Sequence, residues 1–230
     1  MYSVVKSSSE ISRVVRTHAV ARAGYDRLSG WYDLLEGGWE APIRRQGLEL
    51  LNVRAGERVL EIGCGTGAAL ELIPGQACAV GRAPCLSAWG LDLSQGMLAQ
   101  ARTRLKKTGN LAALVQGDAL RLPFQTASFD AIFTAFTLEL IDTPEIPLAL
   151  AETRRVLRPG GRLGVVSLSK LGGWRWMQRL YEWSHARFPN AVDCRPIYAR
   201  QALAQAGFRE TGCRLLSRTG LGMEIVVVEK

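Results

Sequence analysis

The chain has little of what metal, disulfide-built or secreted proteins rely on. Only two histidines, His18 and His185, stand among 230 residues, so no histidine-based metal cluster is expected. Five cysteines, at 64, 78, 85, 194 and 213, include no Cys-x-x-Cys pair. Their odd number argues against a closed disulfide framework, and reduced structural thiols are the expectation. No apolar run approaches the roughly 18 residues of a membrane span. Residues 1–10 lack the apolar core of a secretory signal, so a cytoplasmic location is expected. Aromatic residues are scarce at 7%, and no basic ladder is interleaved with them, which excludes an obvious nucleic-acid groove.

Acid is the minority charge. Lys and Arg number 29 against 21 Asp and Glu, a formal net charge of +8. That balance suits an anionic small molecule, an anionic membrane surface, or no particular partner. What remains is ordinary for a globular protein: 47% hydrophobic and 22% charged residues.

Residues 10–52 read as helical, with segments at 10–19, 25–35 and 42–51. Beyond them the pattern alternates. Strands are predicted at 57–62, 88–92, 111–116, 129–135 and 162–168, and helices at 67–73, 94–107, 145–157, 174–187 and 198–206. Two last strands, 210–217 and 222–229, follow each other without a helix. Such alternation predicts an α/β fold: a Rossmann-like, seven-stranded, mostly parallel sheet with helices on both faces and a C-terminal antiparallel pair. The expected organisation is a helical cap over 1–52 and a main domain over 53–230. Segment 74–87 has no clear period and reads as a surface excursion.

Chemistry concentrates in Val59-Leu60-Glu61-Ile62-Gly63-Cys64-Gly65-Thr66-Gly67. A strand here runs into a glycine turn that opens a helix, where a bulky nucleotide-like cofactor can lie against bare backbone. With Ala68 the string also satisfies the nicotinamide form Gly-x-Gly-x-x-Gly/Ala. Asp92 ends the second strand, where a carboxylate can accept both ribose hydroxyls of either cofactor. Ser94 is a candidate N-cap. Asp118 follows the third strand. Its carboxylate can accept from an adenine amino group while the Ala119 amide faces a ring nitrogen.

Five blocks in order over residues 55–168 resemble the class I S-adenosylmethionine-dependent methyltransferases. They are the glycine string, Gly90-Leu91-Asp92, Gln116-Gly117-Asp118-Ala119, Ser128-Phe129-Asp130 and Arg158-Pro159-Gly160-Gly161. Tyr25-Asp26-Arg27-Leu28-Ser29-Gly30-Trp31-Tyr32-Asp33 is similar to a signature of the branch that holds ubiquinone/menaquinone C-methyltransferases and bacterial phospholipid N-methyltransferases. The resemblance implies S-adenosylmethionine as cofactor, with Glu61, Gly63 and Gly65 around its methionine part, Asp92 on ribose and Asp118 on adenine. Cys64, Gly67, Leu93, Met97, Gly117, Ala119 and Phe136 complete the expected cofactor contacts. The departures from that pattern are segment 74–87 and Phe136-Thr137-Leu138-Glu139.

The acceptor is expected to be small or lipid-like: a phospholipid amine, an isoprenoid quinol, or another metabolite. Candidate catalytic residues are Tyr25, Tyr32, Glu139 and His185. Glu139 can meet a cationic amine or cap a strand end, and His185 can act as a base near neutrality or simply pack. Arg195 can bind a carboxylate or phosphate, or serve a turn. Trp176, Leu180 and Trp183 share a helical face, which reads either as core or as an amphipathic surface at a membrane.

Overall fold

The computed structural model describes residues 13–14, 18–28, 40–54, 56–73, 88–187, 194–218 and 220–230. Tyr32 and segment 74–87 lie outside them. For His18, Arg27, Leu28, Arg175 and His185 only the backbone is described.

Seven strands form one sheet: β1 Val59–Ile62, β2 Ala88–Asp92, β3 Ala113–Gln116, β4 Phe129–Ala135, β5 Leu157–Ser169, β6 Arg209–Arg218 and β7 Leu221–Glu229. Their order is β3-β2-β1-β4-β5-β7-β6. The first five run parallel, and β7 is antiparallel to both β5 and β6. The helices are α1 His18–Leu28, α2 Ala41–Leu51, α3 Gln95–Thr108, α4 Ile146–Val156, α5 Arg175–Arg187 and α6 Ala199–Gln205. Among the described residues no helix is long and apolar enough to cross a membrane. Among the described residues no group of three or more His, Cys, Asp or Glu could hold a metal ion.

The sheet buries both faces. Ala131, Phe133, Val166 and Ile225 lie under α2 with Ile43 and Leu51. Leu60, Ile132, Leu163 and Val226 lie on the other face with Leu150 of α4 and Leu203 of α6. Alternation of side chains along each strand accounts for this division. Phe129 breaks parity by sharing the face of Ile132. A register shift between Phe129 and Ala131, opposite Pro159-Gly160-Gly161, supplies the extra step.

Two expectations are corrected. The helix expected at 67–73 shrinks to a 3-10 turn at Leu70–Leu72, because three positive-φ glycines occupy the preceding turn. The boundary expected between 19 and 25 is absent, since α1 runs unbroken across it. Helix α2 packs directly on the sheet through Ile43 and Leu51. Its Gly47 lets it approach so closely that a Cβ there would lie 2.6 Å from Val166 Cγ2.

Candidate active site

At the C-terminal ends of β1, β2 and β4 the sheet opens into a cleft with about 1100 Å³ of space, counting its open mouth. Open parallel sheets place ligands at this edge. The Gly63 and Cys64 amides both donate to the Leu91 carbonyl, at 2.8 and 3.0 Å, tying the glycine turn to β2. Gly65 has φ +51 and a Cβ there would meet nothing within 4 Å, so the backbone at this point stands bare against the cleft. Gly63, at φ +70, has a second reason to be glycine: its Cβ would lie 2.3 Å from Thr137 Oγ1. Gly67 does not line the cleft. It admits α3, for a Cβ would lie 3.1 Å from that of Ala101.

Asp92 is held by backbone alone. Its Oδ2 accepts from the Gly65 amide and its Oδ1 from the Ser94 amide, each at 2.8 Å. Burial pushes its carboxyl above the ordinary value, against the pull of those amides. Ser94 caps α3 by accepting from the Met97 amide at 3.1 Å. Its hydroxyl donates to Asp26 of α1 at 2.5 Å, and the Gly96 amide donates to the same carboxylate at 2.9 Å. The Ser94 hydroxyl and the Gly96 amide hold Asp26 below the usual carboxylate range. Asp118 accepts from the Leu120 amide at 2.9 Å, fixing the turn after β3.

The far wall is apolar. Phe136 takes φ +54, a conformation that costs a bulky residue of order 1–3 kcal/mol. Its amide donates to the Val166 carbonyl at 2.8 Å, and the Arg44 guanidinium lies 5.7 Å above its ring. Arg44 also pairs with Glu40. Leu140 and Ile141 continue the wall. Next to them, Asp142 accepts from Arg13 Nη2 at 2.6 Å and from the Val14 amide at 3.0 Å. The Arg13 guanidinium lowers the Asp142 carboxyl to about 2.

Of the residues expected from sequence, the cleft brings together Tyr25, Glu61, Gly63, Cys64, Gly65, Asp92, Leu93, Met97, Gly117, Asp118, Ala119 and Phe136. Glu139 is not among them. It is fully buried, and its Oε1 accepts from the Leu168 amide at 2.9 Å. Arg195 is also fully buried. Its Nη2 donates to the Ile141 carbonyl, Nε and Nη1 have no partner among the described residues, and burial lowers its pKa to about 10. Cys64 has its thiol pushed well above the ordinary value, first by burial, then by the charges of Glu61 and Asp92. That removes it as a nucleophile. Sequence reasoning missed Arg44, Thr66, Thr137, Leu140 and Ile141, all of which line the cleft. Glu40 and Arg44, four residues apart, were the one available signal.

The cleft therefore has a polar end, with carboxylates Glu61, Asp92 and Asp118, and an apolar end at Ala135, Phe136, Leu140 and Ile141. A methyltransferase domain family matches residues 59–161. The ubiquinone/menaquinone biosynthesis C-methyltransferase UbiE of Nitrosospira multiformis is 34% identical over 177 residues, 77% of this chain and 69% of that protein. The UbiE of Paraburkholderia phytofirmans is 31% identical over 212 residues, 89% and 82% of the two chains. Among solved structures, the [4+2]-cyclase SpnF superimposes with a TM-score of 0.72 at 21% identity, covering 94% of this chain and 97% of that one. A S-adenosylmethionine-dependent methyltransferase from Methanosarcina mazei gives 0.60 at 22% identity, covering 80% and 96%. These two structures establish the fold; the sequence relatives carry the chemistry. The chain belongs to the class I S-adenosylmethionine-dependent methyltransferases, resembles UbiE among them, and uses S-adenosylmethionine as its cofactor.

Proposed function

We propose that the polar end of the cleft holds S-adenosylmethionine and the apolar end an isoprenoid quinol, methylated on a ring carbon. The bare backbone at Gly65 and the half-buried, backbone-held carboxylate of Asp92 fit the cofactor. On this reading Glu61, Gly63 and Gly65 face its methionine part, Asp92 accepts from the ribose hydroxyls, and Asp118 with the Ala119 amide reads adenine. Cys64, Leu93, Met97, Gly117 and Phe136 shape the walls. When bound, the cofactor supplies a methyl group on a sulfonium, which is already a good leaving group. The protein's task is then to align the acceptor and exclude water.

The observation that carries the acceptor reading is the placement of Glu139. A cationic amine at the apolar end would need a nearby anion. Glu139, the acid after β4 that the sequence offered for that role, turns into the core instead, onto Leu168, and Asp142 beside the wall is engaged by Arg13. The carboxylates that line the cleft, Glu61, Asp92 and Asp118, are those assigned to the cofactor. A neutral aromatic acceptor fits a wall of Phe136, Leu140 and Ile141. The names of the sequence relatives point the same way. Arg44 stands where it can stabilise the oxyanion left when a quinol hydroxyl gives its proton to solvent. The ring passes that charge to the attacking carbon, whose own hydrogen leaves as a proton to solvent once the new C–C bond has formed, restoring the aromatic ring. The Tyr25 hydroxyl is the candidate to orient that oxygen. In this scheme the segment through α1 closes the cleft, while α2 belongs to the body.

The test is labelled-methyl transfer by purified protein to a short-tailed, demethylated naphthoquinol kept reduced, beside phosphatidylethanolamine. Label on a ring carbon is expected. Label in the lipid alone, or in neither, refutes the quinol reading.

A further inference from the structure

Helix α5 is seated by its more polar side. Met177, Gln178, Tyr181 and Glu182 are half-buried. Gln178 Nε2 donates to the Lys170 carbonyl at 3.2 Å, and Glu182 pairs with the Lys170 ammonium. The opposite face carries Trp176, Leu180 and Trp183 at i, i+4 and i+7. These are 58%, 49% and 60% exposed. An amphipathic helix packed on a domain normally shows the reverse.

The apolar surface continues beyond the helix. Trp174, 58% exposed, stacks on Trp176 with ring centroids 5.9 Å apart. Its amide donates to the Gly220 carbonyl at 2.8 Å, which anchors the start of α5 on the β6–β7 hairpin. Leu171 and Leu215 are exposed beside it. Contiguous apolar surface of this kind marks an interaction site.

Charge selects the partner. Arg179 and Arg187 are exposed along the same side of α5. The helix holds three arginines against one carboxylate, and that carboxylate is engaged by Lys170. We propose that this face docks the protein onto an anionic lipid bilayer. Tryptophan favours the headgroup level of a membrane, where its ring is buried and its N–H stays hydrated. Arginines at the rim extend their stems over apolar surface and reach the phosphates. A second copy of this chain would instead bring like-charged arginines face to face. The helix follows the turn after β5, on the strand-end edge that also holds the cleft. Docking here brings the cleft to the surface of the bilayer. That use rests on the quinol reading; the docking itself does not.

Vesicle co-sedimentation tests it, with mixed phosphatidylglycerol and phosphatidylcholine compared with phosphatidylcholine alone. Calorimetric titration with S-adenosylmethionine verifies that each variant is folded. The wild-type chain is expected to bind the anionic vesicles and to leave them as salt rises. Trp176→Ser combined with Trp183→Ser should cut partitioning by about tenfold or more. Arg179→Gln combined with Arg187→Gln should cut it by about fivefold per arginine and abolish the preference for phosphatidylglycerol. All should bind cofactor normally. Absent vesicle binding, or variants that bind as wild type does, overturns the proposal. So does a dimer in sedimentation velocity that the tryptophan substitutions dissociate. The quinol assay uses a short-tailed acceptor without vesicles, so its failure is read separately.

Discussion

The Gly65 amide donates to Asp92 Oδ2 at 2.8 Å, joining the turn after β1 to the end of β2. With the Ser94 amide on Oδ1, it fixes the carboxylate before any ligand arrives. Each oxygen keeps a lone pair for a further donor. Asp92→Ala removes that acceptor from ribose and strands both amides. S-adenosylmethionine affinity, measured calorimetrically, should fall by about tenfold or more. Unchanged affinity refutes the ribose assignment.

The same residue sets a pH dependence. Burial raises the Asp92 carboxyl above its ordinary value. As pH falls toward and through that raised value, a proton takes an oxygen the ribose needs. Affinity should therefore begin to fall at a higher pH than for an ordinary aspartate, whose value is about 3.9. The free protein responds with the opposite sign. A carboxyl raised in the fold contributes stability below its unfolded value and loses it as pH rises through the folded one. Acid thus weakens cofactor binding while Asp92 favours the free fold. Asp92→Asn should flatten the pH profile of affinity.

Gly63 and Gly65 separate packing from binding. Alanine at Gly63 meets the Thr137 side chain at 2.3 to 2.9 Å. Overpacking of this kind costs about 1–3 kcal/mol, added to the left-handed backbone penalty of about 1–2 kcal/mol at φ +70, and both lower the urea midpoint. Thr137→Ala in the same chain should restore part of the loss, since it removes the two nearest atoms. A Cβ at Gly65 meets no protein atom within 4 Å, and Gly65→Val puts a branched side chain there. It should cost only the left-handed backbone penalty, about 1–2 kcal/mol, yet abolish cofactor binding. A Gly65→Val protein that binds normally shows that this backbone does not touch the cofactor.

The strand positions along the chain and the polar half of the cleft were legible because they depend on local chemistry. Alternation with β-branched residues marks β4 and β7, and a glycine string followed by Asp92 and Asp118 marks strand ends. The apolar half was not legible. Phe136 enters the wall through a positive φ that no residue type at that position advertises. Arg44 arrives on α2, whose amphipathic pattern speaks only of its buried side. Glu139 reads as a site acid in sequence, and a 3-10 turn at Leu138–Leu140 turns it into the core. Tertiary direction, not residue type, decided each of these.

Cys64 offers a negative control. It is 4% exposed, and burial with two neighbouring carboxylates disfavours its thiolate. Alkylation followed by mass spectrometry should leave Cys64 unmodified in the native protein and modify it after unfolding. Rapid native labelling means that the turn opens, and with it the bond between Gly65 and Asp92.

Two carboxylates pin the N-terminal segment across the cleft. Asp142 takes Arg13 and the Val14 amide at the apolar end. Asp26 takes the Ser94 hydroxyl and the Gly96 amide at the polar end, and Tyr25 beside it lines the cleft. Both carboxyls are depressed, Asp142 to about 2. For a depressed carboxyl the stabilisation is present above its unfolded value and is lost as pH falls through the folded one. The clasp therefore holds across the neutral range and fails only in strong acid. Arg13 is 64% exposed, so the pair adds little to global stability. Its effect should appear in rates. Asp26→Asn combined with Asp142→Asn should speed cofactor dissociation several-fold in stopped flow, with the thermal midpoint almost unmoved. Limited proteolysis should reach the chain ahead of α2 sooner in the variant, and added cofactor should protect it less. Dissociation and cleavage at wild-type rates would show that the segment does not gate the cleft.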